Sequence, residues 1–260
     1  MSAVVDIDAL RALLKQKLAD SDGLVALRNT PSGVLPHVFD PQDDLADLAL
    51  MPWYRAATLV RQLQHEKPEA RLVVLVRGCD ERALIEMAKR NQVDLDKLTL
   101  VGIPCSSEEM DCFCERPAPG KIDIGEAEPG KRPEQIDQYL EMPQEERLAF
   151  WRTHVDRCIK CYGCRNICPV CFCEECALEE ESWVDHALLP PPLVTFHIIR
   201  AMHMAERCIR CGQCEAACPA DIPLTILYRL ISEEVKDKFG YESGISVDDK
   251  PVMALKEENP

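Results

Sequence analysis

One run of cysteines occurs twice in the second half of this chain, with the spacing C-x2-C-x2-C-x3-C-P in both copies. The flanks repeat as well, since the first run is set in RCIK and the second, 50 residues later, in RCIR. The proline of each copy, Pro169 or Pro219, turns the chain after the fourth cysteine and stops a helix from continuing there. The repeat therefore predicts two related loops. Their cysteines are Cys158, Cys161, Cys164 and Cys168 in the first, and Cys208, Cys211, Cys214 and Cys218 in the second.

This spacing is the bacterial-type ferredoxin signature, in which three thiolates of one run and the fourth of the other hold each iron–sulfur cluster. It predicts two [4Fe–4S] clusters with crossed ligands, and structural zinc or disulfides are the alternatives. Clusters held in this way lie close enough for rapid electron tunnelling, so the direct interpretation is an electron wire. The predicted ligands are Cys158, Cys161, Cys164 and Cys218 for cluster 1, and Cys208, Cys211, Cys214 and Cys168 for cluster 2.

Composition narrows the classes of partner. The chain has 260 residues, of which 47% are hydrophobic, and this is enough for one or two ordinary cores. Its formal net charge is −15 and it has no basic stretch. Nucleic acid and an anionic membrane surface are therefore not expected as partners.

Fifteen cysteines would suit a disulfide framework in a secreted protein, but the start of the chain, MSAVVD, lacks the features of a signal peptide. No apolar run approaches the roughly 20 residues that a membrane-spanning helix needs. We therefore expect a cytoplasmic, reduced protein, where dense cysteines indicate metal. Oxygen-sensitive clusters in this number favour anaerobic metabolism.

Hydrophobic periodicity predicts an α/β unit before the cysteine runs. RLVVLVR and LTLVGI are typical of buried parallel strands, and the helix between them completes a βαβ unit. The helices are predicted at 5–20, 52–66, 80–90, 144–155, 193–206 and 223–239, and the strands at 24–28, 34–39, 71–77 and 98–103.

The predicted fold class is mixed, α+β or α/β. A small N-terminal domain that contains the βαβ unit and ends in a Cys-rich loop occupies residues 1–143. A bacterial-type 2[4Fe–4S] ferredoxin-like domain, with an inserted Cys-rich segment and a C-terminal helix, occupies residues 144–240. Residues 241–260 form a polar tail.

Seven cysteines lie outside the two runs. Cys79 and Cys105 follow the two predicted parallel strands, at the sheet edge where α/β proteins place their ligands. Three others lie within six residues, which indicates a metal or redox role, although inert buried cysteines are common. We expect a third iron–sulfur cluster, with a zinc site as the alternative. Its candidate ligands, of which four or more would serve, are Cys79, Cys105, Cys112, Cys114, Cys171, Cys173 and Cys176.

Two stretches resemble a known family. They are RGCDERALIEMAKRNQVDLDKLTLVGIPC, from Arg77 to Cys105, and CIKCYGCRNICPVCFCEECALEE with its continuation FHIIRAMHMAERCIRCGQCEAACPADIPL. Both resemble the iron–sulfur, flavin-associated beta subunits of deazaflavin-reducing hydrogenases and formate dehydrogenases. The resemblance is closest to bacterial dicluster relatives that work beside heterodisulfide-reductase-like or hydrogenase proteins.

The resemblance implies electron transfer between a dehydrogenase or hydrogenase and another carrier, often through FAD. This chain has no G-x-G-x-x-G fingerprint, and Arg82 is the residue predicted to reach a flavin phosphate. A first-turn charge pattern at the start of the helix also explains Arg82. His197, on the helix that enters the second cysteine run, suits a core or surface role, and a hydrogen bond to a cluster is the alternative.

We therefore expect a non-catalytic subunit that relays single electrons. Its partners would be other subunits of a redox complex, of hydrogenase, formate dehydrogenase or heterodisulfide-reductase-like type, with a flavin- or heterodisulfide-reductase-like acceptor. One alternative is a flavin-dependent oxidoreductase that accepts hydride from NAD(P)H or a deazaflavin. Another is a structural subunit whose clusters hold an assembly together.

Overall fold

A computed structural model describes residues 5–52, 54–105, 114–182 and 195–253 of the chain. The chain divides into two compact units. The first comprises Met1–Asp111, Glu115–Gly130 and Gly244–Asp248, and the second comprises Cys112–Cys114, Lys131–Ser243 and Asp249–Pro260. No helix within the described ranges is both long enough and apolar enough to cross a membrane.

The first unit is a sheet covered by helices. Its strands have the order β2-β1-β4-β5, and β3 also pairs with β1. The elements are α1 (Ile7–Leu18), β1 (Gly23–Thr30), β2 (Gly33–Phe39), β3 (Leu48–Ala49), α2 (Ala56–Glu66), β4 (Leu72–Val76), α3 (Gly78–Ala88) and β5 (Leu98–Gly102).

The sheet is mixed. Strands β1 and β2 form an antiparallel hairpin whose register runs from Leu24 opposite Phe39 to Thr30 opposite Gly33. Gly33 closes this turn at a φ of 118°, a conformation that only glycine adopts easily. Strand β4 runs parallel to both β1 and β5, and the β4–α3–β5 connection is the βαβ unit that the sequence predicts.

The core of the first unit lies between α1 and the sheet. Leu10, Leu14 and Leu18 recur every four residues on α1, so they share one helix face, and all three are buried. They pack with alternate residues of β4, including Val73 and Leu75. The whole of β4 is buried, because helices cover both faces of a parallel strand.

Helix α2 begins four residues later than the predicted Pro52. Arg55 is the extended N-cap, and the backbone N–H of Ala56 donates to Oδ1 of Asp80 at 3.0 Å. The same carboxylate caps α3, since its Oδ2 accepts from the N–H of Arg77 at 3.3 Å. One buried aspartate therefore sets the starts of two helices, and this long-range contact is invisible to periodicity.

The second unit is helical in the described residues. Helix α5 has the predicted bounds, whereas α4 was not predicted, and the predicted start of α7 at Leu193 lies outside the described residues. The helices are α4 (Glu134–Glu141), α5 (Gln144–Val155), α6 (Gly163–Asn166), α7 (Thr195–Met204), α8 (Gln213–Ala216) and α9 (Leu224–Phe239).

The residues after α9 are ordered by backbone contacts up to Met253. Tyr241 and Ser243 are buried. The N–H of Gly244 donates to the buried carboxylate of Glu86 at 2.6 Å, and the N–H of Met253 donates to Glu206 at 2.8 Å.

Candidate metal centre

The two cysteine loops have the same backbone structure. In the first, the N–H of Asn166 donates to the carbonyl of Tyr162 at 2.9 Å, and in the second the N–H of Ala216 donates to that of Gly212 at 3.1 Å. Each loop thus contains one short helix, α6 or α8, which starts at the residue directly before the third cysteine. The duplication seen in the sequence is therefore a duplication of conformation.

Left-handed residues curl each loop around its thiols. Lys160 and Arg210 occupy equivalent positions at φ values of 49° and 57°. Their backbone N–H groups donate to the sulfurs of Cys158 and Cys208, respectively, and such donors lower the thiol pKa against the effect of burial. Hydrogen bonds of this kind to cysteine sulfur also tune iron–sulfur clusters.

The eight thiols surround two separate cavities, and each cavity takes its cysteines from both loops. This crossed arrangement corresponds to the two ligand sets that the repeat predicts, and the assignment of these residues as cluster ligands stays a prediction. Cys158, Cys161, Cys164 and Cys218 line the first cavity, and Cys168, Cys208, Cys211 and Cys214 line the second.

The residues around both cavities fit a polynuclear cluster. Apolar side chains such as Phe196 and Leu224 complete the first wall, and Val170 and Met204 belong to the second. Within the described ranges, no three His, Cys, Asp or Glu side chains converge as they would around a single metal ion. The four thiols of each set line one cavity.

Burial disfavours the thiolate form of the inner cysteines. Desolvation raises the pKa of Cys164 to about 11 and that of Cys208 to about 11. A metal must therefore displace protons from these thiols, so its binding is coupled to proton release. In the residues that the structure describes, all the cysteines lie outside disulfides.

Helix α7 directs two polar side chains at the cavities. His197 lines the first cavity and is 2% exposed, and burial lowers its pKa to about 4, so its imidazole is neutral. Arg200 lines the second cavity and is also 2% exposed. Its Nη2 donates to the backbone carbonyl of Cys164 at 2.8 Å, which ties it to the loop of the first cavity.

The three cysteines after the first loop have different neighbours. Cys171 hydrogen-bonds the thiol of Cys168 at the second cavity, and this bond, acting against burial, lowers its pKa to about 6. Cys173 accepts from Nη1 of Arg207 at 3.6 Å, and Cys176 hydrogen-bonds the side chain of Arg165. Cys171 is therefore the member of this group that lies beside a predicted cluster ligand.

Two further cysteines lie at the carboxyl ends of β4 and β5 in the first unit. Burial raises the pKa of Cys79 to about 12, and the thiol of Cys105 is close enough to add to this rise. Each has a guanidinium partner, Arg55 for Cys79 and Arg77 for Cys105, the latter at 3.9 Å. Both cysteines follow their strands as the sequence predicts, their role as cluster ligands stays a prediction, and the two arginines were not predicted.

The remaining candidates are placed as follows. Cys112 lies outside the described residues, and Cys114 belongs to the second unit. Arg82 is buried, and its Nη1 donates to the backbone carbonyl of Arg116 at 3.1 Å. This contact is one of packing, and the flavin role of Arg82 stays a prediction.

Arg200 was not predicted as a residue of the site. The signal was present, because the buried stripe of α7 contains Phe196, His197, Ala201 and Met204, and Arg200 falls on that stripe. A single permanent cation on a largely apolar helix face, next to a cysteine loop, is the pattern that would have identified it.

Comparison with known proteins confirms the predicted resemblance. Residues 202–223 match the family of 4Fe–4S binding domains. The chain is 45% identical over 98 residues, 38% of its length, to the F420-dependent formate dehydrogenase subunit beta of Methanocaldococcus jannaschii. It is 37% identical over 108 residues, 42% of its length, to the F420-dependent formate dehydrogenase 1 subunit beta of Methanococcus maripaludis.

These matches are partial. The chain spans 26% and 27% of the lengths of the two curated relatives. What the comparisons show is a match of residues 202–223 to the family of 4Fe–4S binding domains and similarity, over the matched part of the chain, to beta subunits of F420-dependent formate dehydrogenases.

Proposed function

We propose that this chain is the iron–sulfur electron-transfer subunit of a cytoplasmic redox complex of the formate dehydrogenase type. It relays single electrons between a catalytic subunit, of formate dehydrogenase or hydrogenase type, and a flavin- or heterodisulfide-reductase-like acceptor. The observation that carries this proposal is the crossed pair of four-thiol cavities within one compact unit. The partial identity to formate dehydrogenase beta subunits supports the kind of complex.

Each residue class has a distinct task in this proposal. The eight thiols hold two [4Fe–4S] clusters, which carry one electron at a time when bound. Backbone N–H groups such as those of Lys160 and Arg210 hold the cysteine sulfurs in orientation. Apolar walls, including Phe196 in the first cavity and Val170 in the second, exclude water.

We further propose a third iron–sulfur cluster, with ligands among the remaining seven cysteines. The closeness of Cys79 to Cys105 at the sheet edge supports a contribution from the first unit. FAD binding is a separate proposal, and the content of flavin in the purified protein decides it.

The crossed ligand sets predict an unequal pattern of iron loss in paired variants. If Cys158 and Cys218 share a cluster, then Cys158→Ala with Cys218→Ala removes about four irons, the content of one cubane. Cys158→Ala with Cys208→Ala should instead remove about eight, because it damages both clusters. Iron, acid-labile sulfide and flavin are counted per chain after anoxic purification of the full chain.

The controls come from the same preparation. Wild-type protein should hold about eight irons for two clusters or about twelve for three. Triple replacement of Cys171, Cys173 and Cys176 by alanine tests whether this group contributes to a third cluster. Equal iron loss in the two paired variants would reject the crossed ligand sets, and fewer than about four irons with bound zinc would reject the function.

A further inference from the structure

Arg200 is a buried cation between the two sets of cysteines. Its side chain lines the second cavity, while its Nη2 donates to the carbonyl of Cys164, a residue of the first cavity. Its charge acts on the thiol of Cys164 in the first set and on those of Cys168 and Cys214 in the second. One guanidinium is therefore electrostatically coupled to both cavities.

No carboxylate among the described residues forms an ion pair with Arg200. Its other neighbours are the ring of Tyr228, whose centroid lies 4.7 Å from the guanidinium, and the sulfur of Cys171, which accepts a hydrogen bond from it. Its Nε and Nη1 make no hydrogen bond within the described part of the chain. A buried guanidinium stays charged, so an anion is needed to balance it.

A cubane held by four thiolates supplies such an anion. Its net charge is negative and becomes more negative on reduction, and nearby charge is one of the factors that set its potential. A permanent cation at the wall therefore stabilises the reduced form more than the oxidised form. Since Arg200 is coupled to both sets of thiols, the effect extends to both clusters.

We propose that Arg200 is the shared counter-cation of the two clusters and raises the reduction potential of both. This inference rests on the proposed function, because it requires the clusters to be present. Arg200 acts through the clusters without binding iron, so it is a positioning and tuning residue. The role also explains why a cation occupies the buried stripe of α7.

Arg229 on α9 offers a matched control. It is 1% exposed and lines the same second cavity as Arg200. Its Nε, however, pairs with Oε1 of Glu233 at 3.3 Å, so a carboxylate already balances its charge. Loss of Arg229 should therefore change the cluster potentials much less than loss of Arg200.

The test compares Arg200→Gln, Arg200→Lys and Arg229→Gln with wild type, all as full chains purified without oxygen. Redox titration followed by electron paramagnetic resonance gives the midpoint potential of each cluster. Arg200→Gln should make reduction of both clusters at least tenfold less favourable, which is 59 mV for one electron. Arg200→Lys keeps the positive charge, so its equilibrium constant for cluster reduction should stay within about threefold of the wild-type value.

Each result has one interpretation. If Arg200→Gln contains both clusters and their midpoint potentials are unchanged, the proposal is overturned. If the midpoint potential of only one cluster shifts, the shared role is overturned. If Arg200→Gln does not assemble clusters, the test rests on Arg200→Lys. If cluster reduction in Arg200→Lys is tenfold less favourable than in wild type, the charge of Arg200 is not the cause and the proposal is overturned. A wild-type protein without clusters would refute the proposed function and this inference with it, whereas clusters with unchanged potentials in Arg200→Gln would refute the inference alone.

Discussion

Glu233 shows how a single carboxylate connects separate parts of the second unit. It accepts from Nη1 and Nη2 of Arg132 at 2.5 and 3.2 Å, and from Nε of Arg229 at 3.3 Å. Burial raises the pKa of Glu233, but the two guanidiniums lower it by more, so this pKa lies below its ordinary value. The ionised form is therefore stabilised by folding.

We predict that Glu233→Gln lowers the free energy of unfolding by about 1 kcal/mol at neutral pH, because the two-pronged arginine contact loses its charge. Glu234→Gln is the control, since Glu234 is exposed and its ion pair within the described ranges is with Lys238, one turn away. Thermal unfolding of the full chains, in the same metal state, provides the comparison. Equal midpoints for the two variants would contradict the prediction.

The stabilisation that Glu233 provides should also depend on pH. The pKa of Glu233 is lower in the folded than in the unfolded chain, so its stabilisation is fully present above the unfolded pKa and is lost as pH falls through the folded value. The difference in the free energy of unfolding between wild type and Glu233→Gln should be constant from about pH 8 to pH 5 and should disappear below about pH 4.

At the scale of elements, the segment that follows β5 packs against the carboxyl ends of the parallel strands. A Cβ on Gly78 would lie 2.4 Å from the carbonyl oxygen of Ala118, and one on Gly102 would lie 2.0 Å from that of Lys121. These two glycines are needed because backbone contacts backbone there. The contact covers the sheet edge that carries Cys79 and Cys105.

Gly102→Ala should therefore destabilise the chain by about 2 kcal/mol or more, since neither backbone can move without disturbing the sheet edge. Gly120→Ala serves as a control in the same segment, because the nearest atoms to a Cβ there belong to the side chain of Glu81, at the ordinary contact distance of 3.6 Å. Chemical denaturation of both variants measures the difference. A loss of stability in Gly120→Ala as large as that in Gly102→Ala would refute the backbone argument.

At the scale of the whole molecule, the two units have different sources of stability. The first has a continuous aliphatic core in which α1, β1, β4 and β5 take part. In the second, Ile136, Tyr139 and Ile226 form a small cluster, and thiols such as Cys158 and Cys164 are themselves buried. Metal bound by these thiols would therefore contribute much of the stability of the second unit.

We expect removal of iron from the full chain to loosen the second unit selectively. Amide hydrogen exchange should show lost protection in α6, α7 and α8 and retained protection in β4 and β5, because the aliphatic core does not depend on metal. Re-insertion of iron and sulfide is the control and should restore the lost protection. Equal loss of protection in both units would contradict this division.

Local sequence patterns predicted much of the fold. RLVVLVR predicted β4 because a parallel strand with helices on both faces is apolar throughout, and Gln144–Val155 formed α5 with the predicted bounds. The start of α2 was predicted too early, because the Asp80 carboxylate that binds its first N–H lies 24 residues away from Ala56. Helix α4 was missed because it is only eight residues long.

The sequence by itself determined which thiols belong to a common loop, because ligand spacing and left-handed turns are local properties of a short peptide. It also predicted the βαβ unit, since hydrophobic period and strand length are read along the chain. Only the tertiary structure decided what surrounds the thiols. Arg200 lines the second cavity and binds the cysteine loop of the first because α7 packs against α9 and beside loops that are distant in sequence. The position of a long buried side chain depends on that packing, and no residue spacing encodes it.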